Sequence, residues 1–253
     1  MKDKGLTMTM VFEAQSANYG EGIGNVAALK KLSRGTGSQY TYISRQAIRY
    51  NIMEQFGEEL TKVEKDKTVV QFAPDATIEK YPEIDFFGYL KTKKDIKKRS
   101  AKVRLSNAIS TEEFRGDMDF LTNKGLADRL KENMNLAQAE IHHSYYVYTI
   151  TIDLNKIGID ENDKISLDNK EKSRRVQKLL DTIALLYRDI KGRRENLSPL
   201  FAIGGLYNTK NPIFENLVGV KDNKITVKRI QGGIFDLMKD DTDRKSTRLN
   251  SSH

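Results

Sequence analysis

Ser44, Arg45 and Arg49 stand where a helix that binds an anion would need them, in the segment "YISRQAIRYNIMEQF". Apolar residues recur through this segment at helical spacing, and Ser44 is a favourable N-cap because its hydroxyl accepts a hydrogen bond from a first-turn N–H. Arg45 and Arg49 are four residues apart and therefore share one side of the helix. Free N–H groups, the positive end of the helix dipole and two guanidinium groups all suit a phosphate. Taken alone, the same pattern also fits a solvated arginine pair on a surface helix.

Positive charge accumulates in several other segments, and aromatic residues lie near several of them. Residues 91–104, "KTKKDIKKRSAKVR", hold eight basic residues and one acidic residue, and Lys124, Arg129 and the run "KGRR" at 191–194 add to them. Basic grooves with aromatic or apolar wedges are typical of proteins that bind single-stranded nucleic acid. Each cluster alone fits a solvated face, whereas the set favours RNA or DNA binding.

Acidic and histidine residues offer weaker candidates for chemistry. Asp117 and Asp119 in "RGDMDF" are a pair that could bind Mg²⁺ for phosphodiester cleavage, although acids in a loop are more often turn residues. His142 and His143 are adjacent on a predicted strand, so they point to opposite faces and cannot chelate one ion together. His142 could instead stack on a base or simply end a polar strand. We therefore predict no enzymatic activity, no metal and no cofactor.

Composition agrees with an acidic partner. The chain has 253 residues, a net charge of +8 and an isoelectric point near 9.3, and a basic balance of this kind favours nucleic acid. The absence of cysteine excludes disulfides and thiolate metal sites. No apolar run approaches the roughly 20 residues that span a bilayer, and the first residues read as a strand rather than a signal peptide. We expect a cytoplasmic protein.

The order of the predicted elements indicates an α+β protein. Alternating apolar residues predict strands, and helical stripes predict helices after residue 44 and over 173–190, the latter ended by Gly192. The order β, α, insertions, β, α, β fits a ferredoxin-like split β-α-β core with an antiparallel sheet. The predicted strands are 6–13, one strand leaving the basic loop near 101–110, 144–154, 200–205 and 224–233, with a possible helix over 125–139.

The last ten residues, "RKSTRLNSSH", follow "KDDTD" abruptly and show no apolar periodicity. They look like a translated adapter or vector read-through, which leads us to expect that 244–253 are non-native and that the chain is cut near Asp243. Without Arg244, Lys245 and Arg248 the net charge falls from +8 to +5. A natural disordered tail is the alternative.

An ordered series of segments over about residues 5–235 resembles one protein family. "YTYISRQAIRYNIME" resembles a segment of the repeated backbone subunit of type I CRISPR Cascade complexes, and "QSAN" resembles the asparagine that this family places before a glycine-rich loop. The remaining segments resemble the DevR branch of that family, which occurs with type I-B systems. These segments are "IDFFGYL", "KRSAKVRLSNAIS", "GDMDFLTN", "AEIHHSYYVYTITIDL" and "LSPLFAIGGLYN".

The resemblance implies a modified RNA-recognition-motif palm with fingers at about 57–105 and a thumb at about 111–141, in one domain over 1–243. Several copies of such a subunit coat one guide RNA, and subunits of this branch are not expected to cut target RNA. The implied partners are the guide RNA, further copies of the chain, other Cascade subunits and the target DNA strand paired to the guide, with no membrane.

The resemblance also implies RNA-binding residues. Asn18, Ser44, Gln46 and Arg49 match positions where the family holds the guide-RNA backbone, and so does Arg45, although many relatives have serine there. Five further residues are candidates: three match the family's basic strand by region, one belongs to the set of basic segments, and the histidine could stack on a base. These are Lys98, Arg99, Arg104, Lys124 and His142.

Two other functions stay open on the sequence. Related subunits of type III systems cut target RNA with a thumb aspartate, so a metal-dependent ribonuclease using Asp117 or Asp119 is one alternative. The other is a DevR-type transcriptional autoregulator, which no helix-turn-helix pattern supports.

Overall fold

The structure is a computed structural model that describes residues 4–20, 22, 24–35, 37–66, 68–93, 95–227 and 242–246. The helices within these residues are α1 (Arg45–Phe56), α2 (Pro82–Phe87), α3 (Lys124–Leu130) and α4 (Asn169–Ala184). The strands of the first half are β1 (Gly5–Ala14), β2 (Val26–Ala27), β3 (Lys31–Arg34), β4 (Ser38–Ile43), β5 (Val63–Asp66), β6 (Val69–Phe72), β7 (Tyr89–Lys91), β8 (Lys97–Arg99), β9 (Val103–Leu105), β10 (Ala108–Ser110) and β11 (Asp117–Thr122). The strands of the second half are β12 (Leu136–Ile141), β13 (Ser144–Asp153), β14 (Ile159–Asp160), β15 (Ile165–Ser166), β16 (Tyr187–Ile190), β17 (Arg193–Asn196), β18 (Phe201–Tyr207), β19 (Val218–Lys221), β20 (Lys224–Val227) and β21 (Thr242–Ser246).

One antiparallel sheet of eight strands organises the described chain. Its order is β21-β18-β1-β13-β10-β4-β3, and β9 also pairs with β13 beside β10. The two longest strands, β1 and β13, lie side by side at the centre and pair along their whole length, with Met10 opposite Tyr148. The prediction of an α+β protein with an antiparallel sheet is confirmed at this level.

The alternation of apolar and polar residues along β1 sets the two faces of the sheet. Met10 and Phe12 point to the face that α1 and α4 cover, where Ile52 and Leu179 complete a buried core. The threonines of β1 lie on the other face, which packs against a second cluster around Phe214. Helices α1 and α4 therefore lie on one side of the sheet, and the apolar stripe of α1 faces it.

Two segments depart from the predicted helices. Helix α4 begins earlier than predicted, with Asp168 as its N-cap, and ends at Ala184. The apolar stripe continues to Ile190 in sequence, but Lys191 and Gly192 adopt left-handed φ values of 49° and 77° and close a β16–β17 hairpin instead. Gly192 is thus a hairpin-turn residue rather than a helix terminator.

The predicted helix over 125–139 is also shorter in the structure. Helix α3 ends at Leu130, where Lys131 takes a left-handed φ of 56°, and residues 136–141 form β12, which pairs with β11. We call residues 117–136 the arm. Beyond the arm, β12 pairs in parallel with β2 through Gln138 and Ala139, so its base is fixed to the domain.

The C-terminal predictions fall only partly on described residues. The predicted strand 224–233 begins as β20, and residues 228–241 lie outside the described part of the chain. Strand β21 pairs with β18 at the sheet edge and includes residues 244–246, whereas 247–253 lie outside. The expectation that 244–253 are non-native stays a prediction. Among the described residues, no helix combines the length and apolar character needed to cross a membrane.

Candidate nucleic-acid interface

The start of α1 is built by three polar side chains. Ser44 caps the helix, since its Oγ accepts from the Ala47 N–H at 3.3 Å. Asn18 Oδ1 accepts from the Ser44 hydroxyl at 2.7 Å, and Asn107 Oδ1 accepts from the Arg45 N–H at 2.9 Å. The predicted cap is confirmed. Because protein groups already use first-turn N–H donors, an anion at this helix would depend chiefly on side chains.

A groove beside α1 brings together four of the predicted residues. Arg45, Gln46 and Arg49 of α1 face Arg104 of β9 across a space of about 530 Å³, and Phe87 at the end of α2 contributes an aromatic ring. The side chains of Arg45, Gln46 and Arg104 are exposed, and that of Arg49 is half-buried. We call this space the basic groove. Three guanidinium groups around one channel can neutralise successive phosphates of a nucleic-acid strand.

Arg49 already has partners inside the protein. Its Nη2 donates to Glu83 Oε1 at 3.0 Å, and its guanidinium lies 4.7 Å from the centre of the Phe87 ring. Its side chain is one-third exposed. Arg49 is therefore held in place, with part of its charge offset before any phosphate arrives.

A second space continues from the basic groove onto the sheet face opposite the helices. It has a volume of about 770 Å³, shares Arg45 with the groove, and lies between the β9–β10 break and residues 215–220. At the break, Ser106 exchanges hydrogen bonds with the Thr149 backbone at 2.9 Å each, which keeps both short strands on β13. We call this space the polar cleft. The sequence predicted one continuous strand near 101–110 and not two short strands, although the pair "SN" at the break favours a turn.

Lys98 and Lys124 lie apart from these spaces. Lys98 is exposed on β8 beside the 156–162 loop, and Lys124 is exposed at the first position of α3 on the arm. Neither lines the basic groove or the polar cleft. Any contact that they make with RNA would be separate from the contact at α1.

Arg99 is a correction to the predicted set. Its side chain is only 4% exposed, and Nη2 lies 2.7 Å from Asp85 Oδ1. The same nitrogen donates to the carbonyl groups of Lys156 and Ile159 at 3.1 Å each. The nearby Lys91 is also buried and donates to backbone carbonyls. The basic run 91–104 is therefore not one surface, and Arg99 is withdrawn from the proposed RNA contacts.

His142 is a second correction. Its imidazole is buried, and Nδ1 lies 2.7 Å from Thr41 Oγ1, while the Tyr146 hydroxyl donates to its carbonyl at 3.1 Å. Burial lowers the pKa of the His142 imidazole below its usual value. Both histidines lie in the connection between β12 and β13 rather than on a strand, and His143 is exposed, with Nε2 2.6 Å from Glu13 Oε1. His142 is not placed to stack on a base.

The aspartates considered as metal ligands are exposed, and two arginines of the "KGRR" run are paired with carboxylates of the same chain. Asp117 and Asp119 are exposed on β11 and share one side of that strand. Within the described ranges, no three His, Asp or Glu residues come together as metal ligands. In the "KGRR" run, Arg193 donates to Glu195 at 2.6 Å and Arg194 to Asp189 at 2.8 Å. Arg193 also donates to Ser16 Oγ at 3.0 Å and so links the β16–β17 hairpin to the segment after β1, whereas Arg194 pairs within the hairpin.

Known structures share this architecture. A chain of a solved "CRISPR RNA-guided surveillance complex" is 13% identical, with a TM-score of 0.59 over 98% of this chain and 91% of that chain. A chain of a "CRISPR RNA-guided surveillance complex, pre-nicking" is 12% identical, with a TM-score of 0.55 over 79% and 78% of the two chains. At these identities the likeness shows a shared fold, that of subunits found in such complexes.

The family follows from the sequence itself. Residues 6–229 match the family described as CRISPR-associated negative auto-regulator DevR/Csa2, and the chain belongs to that family. The predicted resemblance to the DevR family is therefore confirmed. No curated protein matches the chain significantly.

Proposed function

We propose that this chain is a non-catalytic RNA-binding subunit that polymerises along a guide RNA, forming the backbone of a type I-B Cascade surveillance complex in the cytoplasm. Its partners would be the guide RNA, further copies of itself, other Cascade subunits and the target DNA strand paired to the guide. Membership of the DevR/Csa2 family and the fold shared with subunits of surveillance complexes support this proposal.

The basic groove is the observation on which the proposal chiefly rests. Arg45 and Arg104 are exposed, project from different elements and meet across one channel. Their neighbours Asn18, Ser44 and Asn107 fix the helix start through hydrogen bonds rather than by pairing with the guanidinium groups. Such a groove contacts phosphates and backbone shape, which suits a subunit that meets different bases at each step of a guide.

The sheet topology supports a palm of the RNA-recognition-motif kind. In the sheet, strands β18, β1, β13 and β10 are neighbours in that order. Along the chain, α1 lies between β1 and β10, and α4 lies between β13 and β18. This is the β-α-β-β-α-β pattern of ferredoxin-like folds. In this proposal, residues at about 57–105 form the fingers and those at about 111–141, including the arm, form the thumb.

A binding experiment with RNAs of increasing length tests the proposal. We expect sequence-independent affinity that falls as salt rises, and regular multi-copy particles whose length follows the RNA in electron microscopy. A protein that binds one RNA of any length as a single copy would contradict the backbone role. Preferential binding to the duplex DNA of a promoter would favour the auto-regulator that the family description mentions.

A further inference from the structure

Helix α2 presents two side chains to one arginine of the basic groove. Glu83 and Phe87 are four residues apart and therefore lie on the same side of α2. Glu83 Oε1 accepts from Arg49 Nη2 at 3.0 Å, and the Arg49 guanidinium lies over the Phe87 ring, 4.7 Å from its centre. Glu83 thus holds an edge of the planar guanidinium, and Phe87 covers a face. We call this pair of side chains the α2 clamp.

The carboxylate of Glu83 is itself fixed. Its side chain is only 15% exposed, and Oε2 accepts from the N–H of Thr61, a buried residue, at 3.1 Å. Pro82 begins α2 directly before Glu83, and its restricted φ favours the start of a helix there. A carboxylate with both oxygens engaged gives the Arg49 guanidinium a defined position.

This position leaves donors of Arg49 available to a ligand. A guanidinium carries N–H donors on three nitrogens, and within the described part of the chain Glu83 is the one acceptor that this guanidinium reaches. Arg49 and Phe87 line the basic groove, whereas Glu83 does not. The carboxylate therefore holds Arg49 from outside the groove, and the remaining donors can meet a phosphate.

We propose that Glu83 is a positioning residue for the contact between Arg49 and an RNA phosphate, and that Phe87 completes the clamp. This inference rests on the proposed function, because it requires RNA in the basic groove. An arginine that is ordered before binding loses less conformational freedom when it contacts its ligand. Glu83 also opposes binding, since its negative charge repels a phosphate. A test therefore has to separate orientation from charge.

Two neutral substitutions at Glu83 make that separation. Glu83→Gln and Glu83→Met remove the same charge and keep a side chain of similar length, but only glutamine keeps an oxygen that accepts from Arg49 Nη2. Fluorescence anisotropy measures their affinity for a short single-stranded RNA that holds one copy, at a temperature at which circular dichroism shows both variants folded. Glu83→Met should bind about fivefold more weakly than Glu83→Gln, the factor expected from ordering one long side chain.

A second pair of proteins shows whether the effect acts through Arg49. In an Arg49→Ala background, the Glu83→Gln and Glu83→Met variants should bind the RNA equally tightly, because there is no guanidinium to orient. A merely structural role, for example through the bond to the Thr61 N–H, would give the same ratio in both backgrounds. The comparison is made within each background, so the direct effect of Arg49→Ala cancels.

Glu54 provides the matched control, because it is an acid of α1 that does not line the basic groove. Its carboxylate accepts from the Tyr50 hydroxyl at 2.5 Å and forms no ion pair with any described residue. Glu54→Gln and Glu54→Met should bind the RNA equally tightly.

The aromatic half of the clamp gives an independent measurement. Phe87→Leu keeps an apolar side chain against the core but removes the ring face. It should weaken RNA binding about threefold, as expected for the loss of a cation–π contact, and should have no effect in the Arg49→Ala background. If Glu83→Met does not fold, Phe87→Leu in these two backgrounds decides whether the clamp orients Arg49.

The outcomes separate this inference from the proposed function. Equal affinities of Glu83→Met and Glu83→Gln, or a ratio that persists without Arg49, would overturn the positioning role while RNA binding by the unaltered chain leaves the proposed function intact. An unchanged affinity of Phe87→Leu would remove Phe87 from the clamp. Absence of RNA binding by the unaltered chain would overturn both the inference and the proposed function.

Discussion

The guanidinium of Arg49 lies 3.0 Å from the carboxylate of Glu83, whose second oxygen accepts from the Thr61 N–H at 3.1 Å. One cation of the basic groove thus also ties α1 to the segment around α2. A change at Arg49 would remove a phosphate contact and leave Glu83 without its partner, so its effects on binding and on folding would mix. Arg45 and Arg104, which are exposed, give a cleaner test of the groove.

We expect Arg45→Gln and Arg104→Gln each to weaken binding to single-stranded RNA regardless of sequence. Removing one charge-assisted hydrogen bond of about 1.5 kcal/mol corresponds to roughly a tenfold lower affinity. The slope of log K against log salt should flatten by about 0.7 for each phosphate that the protein no longer neutralises. Fluorescence anisotropy over a salt titration measures both quantities.

Lys170→Gln is the matched control, because Lys170 is an exposed cation in the first turn of α4, away from the groove. It should change neither the affinity nor the salt slope. If all three variants behave alike, binding follows overall charge and the groove has no special role.

The second prediction concerns stability rather than binding. Arg99→Ala should lower the free energy of unfolding by about 3–5 kcal/mol, because it leaves the buried carboxylate of Asp85 with an incomplete set of partners. Arg104→Ala, five residues along the chain and exposed, should stay within about 0.5 kcal/mol of the unaltered protein. Chemical denaturation measures both. Equal stability of the two variants, with weaker RNA binding by Arg99→Ala, would return Arg99 to the interface.

The contrast between Arg99 and Arg104 shows which features of the fold and the site can be predicted from the sequence. The start of α1 could be predicted because its cap and apolar stripe are local signals, and the central strands could be predicted because their alternation matches a sheet with one helix-covered face. The burial of Arg99 and His142 could not be predicted, since it depends on Asp85 and Thr41, which are distant in sequence. A basic run does not reveal which of its members turn inward.

The β16–β17 hairpin illustrates a conflict between two local signals. The apolar stripe of α4 continues through Tyr187 to Ile190 and favours helix, but the pair Lys191–Gly192 closes a tight turn with two left-handed residues. Pairing with β17 and the bonds between Gln55 and Tyr187 decide in favour of the strand. The decisive partner, Gln55, lies on another helix.

The third prediction is a pH dependence that arises from His142. Burial lowers its pKa in the folded state, and the nearby carboxylates of Glu112 and Asp117 only partly oppose this. The unfolded chain then binds the proton more tightly, so stability is fully present above the ordinary pKa of 6.5 and falls as pH drops below it. The slope should not exceed about 1.4 kcal/mol per pH unit.

Urea unfolding between pH 8 and pH 5.5 measures this effect. His142→Gln should be less stable at pH 8 but lose less stability on acidification than the unaltered chain. His143→Gln, an exposed neighbour, should keep the full pH dependence. The assignment to His142 fails if its variant and the unaltered protein lose equal stability over this range.

The fourth prediction addresses catalysis. Purified protein loaded with guide RNA should leave complementary RNA intact in Mg²⁺ or Mn²⁺ when followed on denaturing gels. Asp117 and Asp119 are exposed on β11, and among the described residues no further acid or histidine joins them as a metal ligand. Cleavage that disappears in Asp117→Ala or Asp119→Ala would favour the ribonuclease alternative.

Contacts with the rest of the domain decide which residues can be replaced in a test of the arm. Glu112 accepts from the Tyr145 N–H at 3.3 Å, and Phe114 packs against His142 with ring centres 5.6 Å apart. Glu140 accepts from the Leu29 N–H at 2.7 Å. Replacing all of 112–140 would remove these contacts with the domain, whereas replacing 117–136 preserves them.

We therefore expect that replacing 117–136 with a short Gly-Ser linker leaves a folded monomer. It should keep the affinity of the basic groove for a short RNA, because Arg45 and Arg104 lie outside the arm. It should lose cooperative coating, because most of the proposed thumb, including the exposed leucines of α3, is absent. Sedimentation on RNAs of increasing length would then show scattered single copies, and regular filaments from this variant would place the contact between subunits elsewhere on the chain.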